Sequence, residues 1–140
     1  MSQENVDFVE GLFAAGEGMD KQSLLAILPV FIEQTCDPEI EWIEDPQRAD
    51  GRTYRGHEGV RESWEQWLDQ WEEWDFEVER IIDCGESVLV VSRENARGAS
   101  SGATVSARNF MVLTFREGKI LRYQEFYDEA DARAAAGLSE

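Results

Sequence analysis

Hydrophobic positions follow a helical rhythm in the first half of the chain and an alternating one in the second. Val6, Val9 and Phe13, with Phe8 and Leu12 beside them, predict a helix from about Glu4 to Gly16, stopped by Gly16 and Gly18. Asp20 is a good N-cap for a second helix carrying Leu24, Leu25, Ile27 and Leu28. Pro29 lacks an amide donor and crowds the preceding turn, so a kink or restart is expected there, with Val30, Phe31 and Ile32 continuing to about Thr35. In EIEWIED, Ile40, Trp42 and Glu44 alternate with Glu41, Ile43 and Asp45, a short strand. PQRADGRTYRG is turn-rich and predicts a loop. A strong helix is expected from His57 to about Trp74, with Val60, Trp64, Trp67, Leu68 and Trp71 on one face and Glu, Gln and Asp on the other.

Beyond it the period changes. FEVERIID, SVLVVSRENARG, ATVSARNFMVLTFRE and KILRYQEFYD are β-branched and aromatic runs, broken by Cys84-Gly85, GASSG and Glu117-Gly118. Breaks this short suit antiparallel hairpins and leave no room for crossover helices. A last, Ala-rich helix is predicted from about Glu129 to Ala136. Helices early and strands late make an α+β pattern, and 140 residues predict one domain over 1–140.

Composition narrows the partners. With 13 basic and 30 acidic residues the formal net charge is −17, against nucleic acid and against an anionic membrane surface. No run approaches the roughly 20 apolar residues of a spanning helix. The opening MSQENVDFVE has no basic region of the kind that begins a signal peptide. Cys36 and Cys84 lack metal spacing, and a chain with 1 histidine makes a His-based metal site improbable. The expectation is a cytoplasmic protein with reduced thiols and without metal or cofactor.

Four segments in this order resemble the SnoaL-like group of the nuclear transport factor 2-like superfamily: MSQENVDFVEGLFAAGEGMD, EIEWIED, YRGHEGVRESWEQW and REGKILRYQEFYD. The resemblance implies a cone, in which a strongly curved antiparallel sheet wraps around a pocket closed by helices. It also implies homodimers through the outer sheet face. AILPVFIEQTC departs from it, being longer than the usual link between second helix and first strand. The superfamily hosts cyclases, epoxide hydrolases, dehydratases, isomerases and non-catalytic binding domains, so function has to come from the site.

Strand alternation gives each strand two faces. On the last one, Tyr123, Glu125 and Tyr127 share the face expected inward, while Arg122, Gln124 and Phe126 share the other. The same phase points Ala107, Asn109, Met111 and Leu113 inward, and Ser92, Glu94 and Ala96 on the strand before. Resemblance to the epoxide hydrolases puts Glu125 where their last strand carries the acid that acts on water. Their Arg-x-Asp pair falls on Ser92 and Glu94, so the acid keeps its type and the arginine that would hold it is missing. Their Tyr-x-Asn pair falls on Trp42 and Glu44.

The candidate catalytic residues are therefore Glu125, Glu94, Tyr123 and Asn109. The candidate pocket residues are Trp42, Glu44, Trp67, Trp71, Met111, Leu113 and Tyr127. A carboxyl among apolar side chains has its pKa raised toward neutrality, and a tyrosine or asparagine can donate to developing negative charge. Two functions follow: a cofactor-independent acid–base enzyme on a small apolar molecule, or a binding or accessory dimer using the same pocket without turnover. Blander roles compete for some residues. Glu94, just before a turn, has the position of a solvated acid; His57 suits a helix start; Arg108 falls on the outer face; Cys84 has no cation beside it. The implied homodimer would place Arg122, Gln124 and Phe126 at or near its interface. Light scattering at micromolar concentration checks it, and a species of 16.0 kDa alone would remove it.

Overall fold

Two helices, α1 (Ser2–Gly16) and α2 (Lys21–Thr35), lead into the strand β1 (Cys36–Ile43), and a loop and the short β2 (Thr53–Arg55) precede α3 (Gly56–Asp69). Four strands follow, β3 (Trp71–Asp83), β4 (Ser87–Gly98), β5 (Thr104–Arg116) and β6 (Lys119–Phe126), before α4 (Glu129–Ala135). The computed structural model describes residues 2–48 and 51–138. Ala49 and Asp50 of the expected loop, and Met1, Ser139 and Glu140 at the ends of the expected domain, lie outside them.

The six strands form one curved sheet in the order β2-β1-β6-β5-β4-β3. The hairpins expected from the short breaks form, with β3, β4, β5 and β6 antiparallel to their neighbours. At the last hairpin Glu117 (φ 51°) and Gly118 (φ 81°) both take positive φ, the two-residue turn whose twist matches paired strands. Register shifts between Val78 and Arg80 and between Thr114 and Phe115 mark irregularities of the kind that bend a strand. The sheet is not wholly antiparallel, however. β1 runs parallel to β6, with Trp42 opposite Tyr123 and Ile43 opposite Gln124. Thus Glu44 and Glu125 emerge at the same end of the sheet.

The concave face carries the main core: Val9 of α1, Leu28 and Ile32 of α2, and Val60 of α3 meet Ile40, Trp42, Val88, Val90, Met111, Leu113 and Tyr123. On the convex face α4 lays Ala132, and its C-cap Ala136, on Leu89, Val91, Phe110 and Val112. Phe126 packs against this second cluster. Arg122 approaches Glu41 at 3.7 Å.

Three local expectations need correction. Pro29 does not divide α2, which is one helix from Lys21 to Thr35; Leu28 and Ile32, buried on either side of it, anchor both halves to the core and offset the lost amide bond. The expected loop contains a strand, since Tyr54 of β2 pairs with Trp42 of β1. Lastly, α3 stops at Asp69, and Trp71 and Trp74 belong to β3. The run EEWDFEVE alternates, and pairing with β4 takes Trp71 and Trp74 into the sheet, opposite Gly98 and Ala96. Helical spacing is therefore coincidental for Trp71.

With the tryptophans divided between helix and strand, the largest buried side chain of α3 is Leu68, 1% exposed, in a cluster with Trp74 and Phe76. Leu68→Ala is expected to destabilise the protein by about 2–5 kcal/mol, the range for a truncated buried leucine. Urea unfolding measures it, and a loss well under about 1 kcal/mol would mean that α3 does not dock through this residue.

Candidate functional site

Inside the cone lies a cavity of about 170 Å³. Its walls come from the first three helices and the concave face of the sheet. α1 and α2 supply Leu12, Phe13, Leu24 and Phe31, α3 supplies Ser63, Trp64, Trp67 and Leu68, and the sheet supplies Trp42, Trp74, Phe76, Met111, Leu113 and Tyr123. Trp42 lies flat on Tyr123, with ring centroids 3.7 Å apart and planes 10° apart, and Trp64 meets Trp74 edge-on at 5.5 Å. Set in this apolar lining are three carboxylates and one guanidinium: Glu44, Glu94, Glu125 and Arg48.

The polar end is organised by the chain leaving β1. The buried Asp45 donates its amide to Glu125 Oε1 at 3.0 Å. Its carboxylate accepts the amides of Tyr127 and Gln47, both at 2.7 Å. The loop then turns Arg48 inward. Its Nη1 donates to Glu125 Oε1 at 3.2 Å, lies 3.5 Å from Glu44 Oε2, and its Cζ stands 4.6 Å over the Trp67 ring. Glu44 also accepts the Ser63 hydroxyl at 2.7 Å and the Arg52 amide at 3.3 Å. Glu94 stands apart from this network and accepts the Asn109 amide at 3.3 Å.

The environments of the two inner acids differ accordingly. Burial and the neighbouring Glu125 charge push the Glu94 carboxyl up to about 7, against the pull of Asn109 and Arg48. Burial raises Glu125 as well, but the Asp45 amide and the Arg48 guanidinium hold it back. Burial opposes the Arg48 charge, and Glu125 and Glu44 more than offset it, so its pKa is raised and it stays protonated. Burial, with Glu125 and Glu94 close by, drives the Tyr123 phenol far up and keeps it a neutral donor. Among the described residues no group of three His, Cys, Asp or Glu is placed to hold a metal ion. Among them, too, no helix is long and apolar enough to cross a membrane.

A SnoaL-like domain model matches residues 29–123, well over half of the sequence. The chain belongs to the SnoaL-like family. Solved structures agree on the fold. A putative SnoaL-like polyketide cyclase from Jannaschia sp. CCS1 is 18% identical with a TM-score of 0.73, over 99% of this chain and 94% of that one. TerC, co-crystallised with polyporic acid, is 18% identical with a TM-score of 0.70, over 96% and 98%. A protein with a ketosteroid isomerase-like fold from Catenulispora acidiphila, in complex with trimethylamine, is 15% identical with a TM-score of 0.63, over 84% and 92%. Among curated proteins none matches the sequence.

In this SnoaL-like protein Glu125, Glu94, Tyr123, Trp42, Glu44, Trp67, Met111 and Leu113 all line the cavity, and Asn109 sits behind Glu94. Glu94 is thus not the solvated acid that its place near a turn suggested. Two residues expected in the pocket are outside its lining. Trp71, at the start of β3, packs edge-on against Trp67 at 5.4 Å. Tyr127 comes after β6 and is 39% exposed. The strand arginine is indeed missing beside Glu94, whose hydrogen-bond partner is Asn109. Ser92 occupies its strand position, and a cation the sequence did not mark, Arg48 of the β1–β2 loop, reaches Glu125 and Glu44 instead. No motif marks Arg48 in sequence; only closure of the loop brings it to Glu125.

His57 accordingly has a structural role, with Nε2 2.8 Å from the Cys36 carbonyl, and Arg108 pairs with Glu79 at 2.8 Å on the sheet surface.

Glu94 has a folded pKa above its ordinary value, so its contribution to stability is present at low pH and is lost as pH rises. The window runs from about 4.5 to about 7. Urea midpoints of wild type and Glu94→Gln across that window should diverge at its acid end, where the wild type gains. Parallel profiles would show a solvated acid.

Proposed function

We propose that this SnoaL-like protein is a cofactor-independent enzyme that moves a proton on a small molecule with an apolar body. Glu94 is the proton carrier, and one observation carries the reading: a carboxyl poised near neutrality inside an aromatic cavity, beside a second acid that a guanidinium clamps. General acid–base catalysis works best with a group whose pKa lies near the operating pH. Asn109 orients Glu94. Glu125, clamped by Arg48 and the Asp45 amide, lends negative potential that stabilises a neighbouring positive centre and keeps Glu94 basic. Tyr123, neutral and buried, is the donor suited to a developing oxyanion. The family's isomerases, cyclases, dehydratases and hydrolases all need such steps, and TerC, a neighbour in fold, was crystallised with a small organic molecule.

The cavity sets a scale for the substrate. About 170 Å³ is close to the roughly 150 Å³ of an engineered apolar cavity that takes benzene, which favours a body of one ring. A second reading, a binding or accessory domain without turnover, is favoured by the mutual satisfaction of Arg48, Glu44 and Glu125.

Deuterium exchange at the α-carbons of cyclohexanone, followed by NMR, separates the two. The enzyme reading expects exchange above the buffer rate, rising through neutral pH as Glu94 ionises, and falling by roughly 10²–10⁴-fold in Glu94→Gln, the usual span for a general base. Retained ketone binding with exchange at the buffer rate would leave the binding domain as the function.

A further inference from the structure

We infer that this cavity is built for a small organic cation, a protonated amine or quaternary ammonium on a hydrocarbon body of about one ring. The inference rests on the reading of the cavity as the ligand site and names the class of molecule it takes.

The first observation is an imbalance of charge within the lining. Three carboxylates face one guanidinium, and Arg48 is shared between Glu125 and Glu44. Glu94 has an amide, not a cation, as its hydrogen-bond partner. A neutral or anionic ligand leaves that carboxyl desolvated beside another negative charge; an ammonium resolves both costs at once.

The second observation is the wall. Trp42, Trp64, Trp67, Trp74, Phe76 and Tyr123 present aromatic surface to the same space. Aromatic faces attract cations through the ring quadrupole, most strongly for tryptophan and when water is excluded. The wall already holds one, since the Arg48 guanidinium lies over Trp67. An aliphatic lining of equal area would serve an uncharged ring just as well.

The third lies behind Glu94. Asn109 is 2% exposed, and its Oδ1 has no hydrogen-bond partner among the described residues. An acceptor buried beside Glu94 without a donor of its own adds to the negative character of that end of the site. A net charge of −17 adds a long-range bias, because a strongly negative protein concentrates cations at its surface and turns anions away.

Calorimetric titration in mildly alkaline buffer with cyclohexylamine, cyclohexanol and cyclohexanecarboxylate tests the class, since the three share one ring and differ in charge. The amine should bind at least about 10-fold tighter than the alcohol, roughly 1.4 kcal/mol, and the carboxylate weakest of all. Glu94→Gln should narrow the margin of amine over alcohol and leave the alcohol's own affinity in place. If that variant does not fold, the wild-type ranking decides alone. Equal or tighter binding of the alcohol, tighter binding of the carboxylate, or no binding by any of the three would overturn the inference. Its failure is separable from that of the proton-transfer reading. Cyclohexanone exchange with no preference for the amine removes only the cation, and preference for the amine without exchange removes only the turnover.

Discussion

Asp45 ties the end of β1 to the end of β6, and the geometry of the site depends on that tie. Parallel pairing brings both strands out at one end of the sheet, where adjacent chain ends would otherwise diverge. One buried aspartate joins them, its amide on Glu125 and its carboxylate on the Tyr127 amide. Backbone amides donating to a carboxylate are strong, directional contacts, so they fix position as well as contribute stability. Because the same carboxylate also takes the Gln47 amide, the loop leaves β1 in a set direction, and Arg48 arrives over Glu125 rather than in solvent.

A single cation then divides the acids into two kinds. Removing charges from water costs several kcal/mol per ion unless a partner compensates, and here compensation goes to Glu125 and Glu44. Glu94 receives only an amide hydrogen bond. Near Glu125, and with less support, it relieves the cost by taking up a proton, which is how a carboxyl comes to titrate near neutrality. The functional asymmetry is a consequence of where one guanidinium can reach.

Local pattern foretold the parts whose physics is local. Strand alternation placed Glu125, Tyr123, Met111 and Leu113 on the concave face, and hairpin breaks at Cys84-Gly85 and Glu117-Gly118 located four strands, because turn chemistry and side-chain period act between near neighbours in sequence. The tryptophans of 64–74 were harder. Trp64, Trp67 and Trp71 satisfy helical spacing, while Trp74 and Phe76 satisfy strand spacing, and pairing with β4 decides the boundary. β2 and the parallel contact between β1 and β6 were also hidden, since three residues of strand and a partner some 80 positions away leave no periodic trace. Arg48 was missed for the same reason, and with it the cation of the site. A loop residue gains its role from closure of the fold.

The cavity itself carries a cost that the rest of the fold has to offset. A hollow of about 170 Å³ forgoes the side-chain packing that a filled core would have at that place. Filling it would take little, since Met111, Leu113 or Ser92 could each be replaced by something larger. The burden of stability falls instead on the packed regions around it, the cluster of α1, α2 and the sheet on one side and α4 on the convex face. A hollow lined by three acids that one guanidinium serves only in part is a poor structural core, and natural proteins keep such local violations mainly at functional sites. The open space, the aromatic wall and a carboxyl held by an amide alone coincide at one place in this chain, which supports the proposal that the protein meets its ligand there.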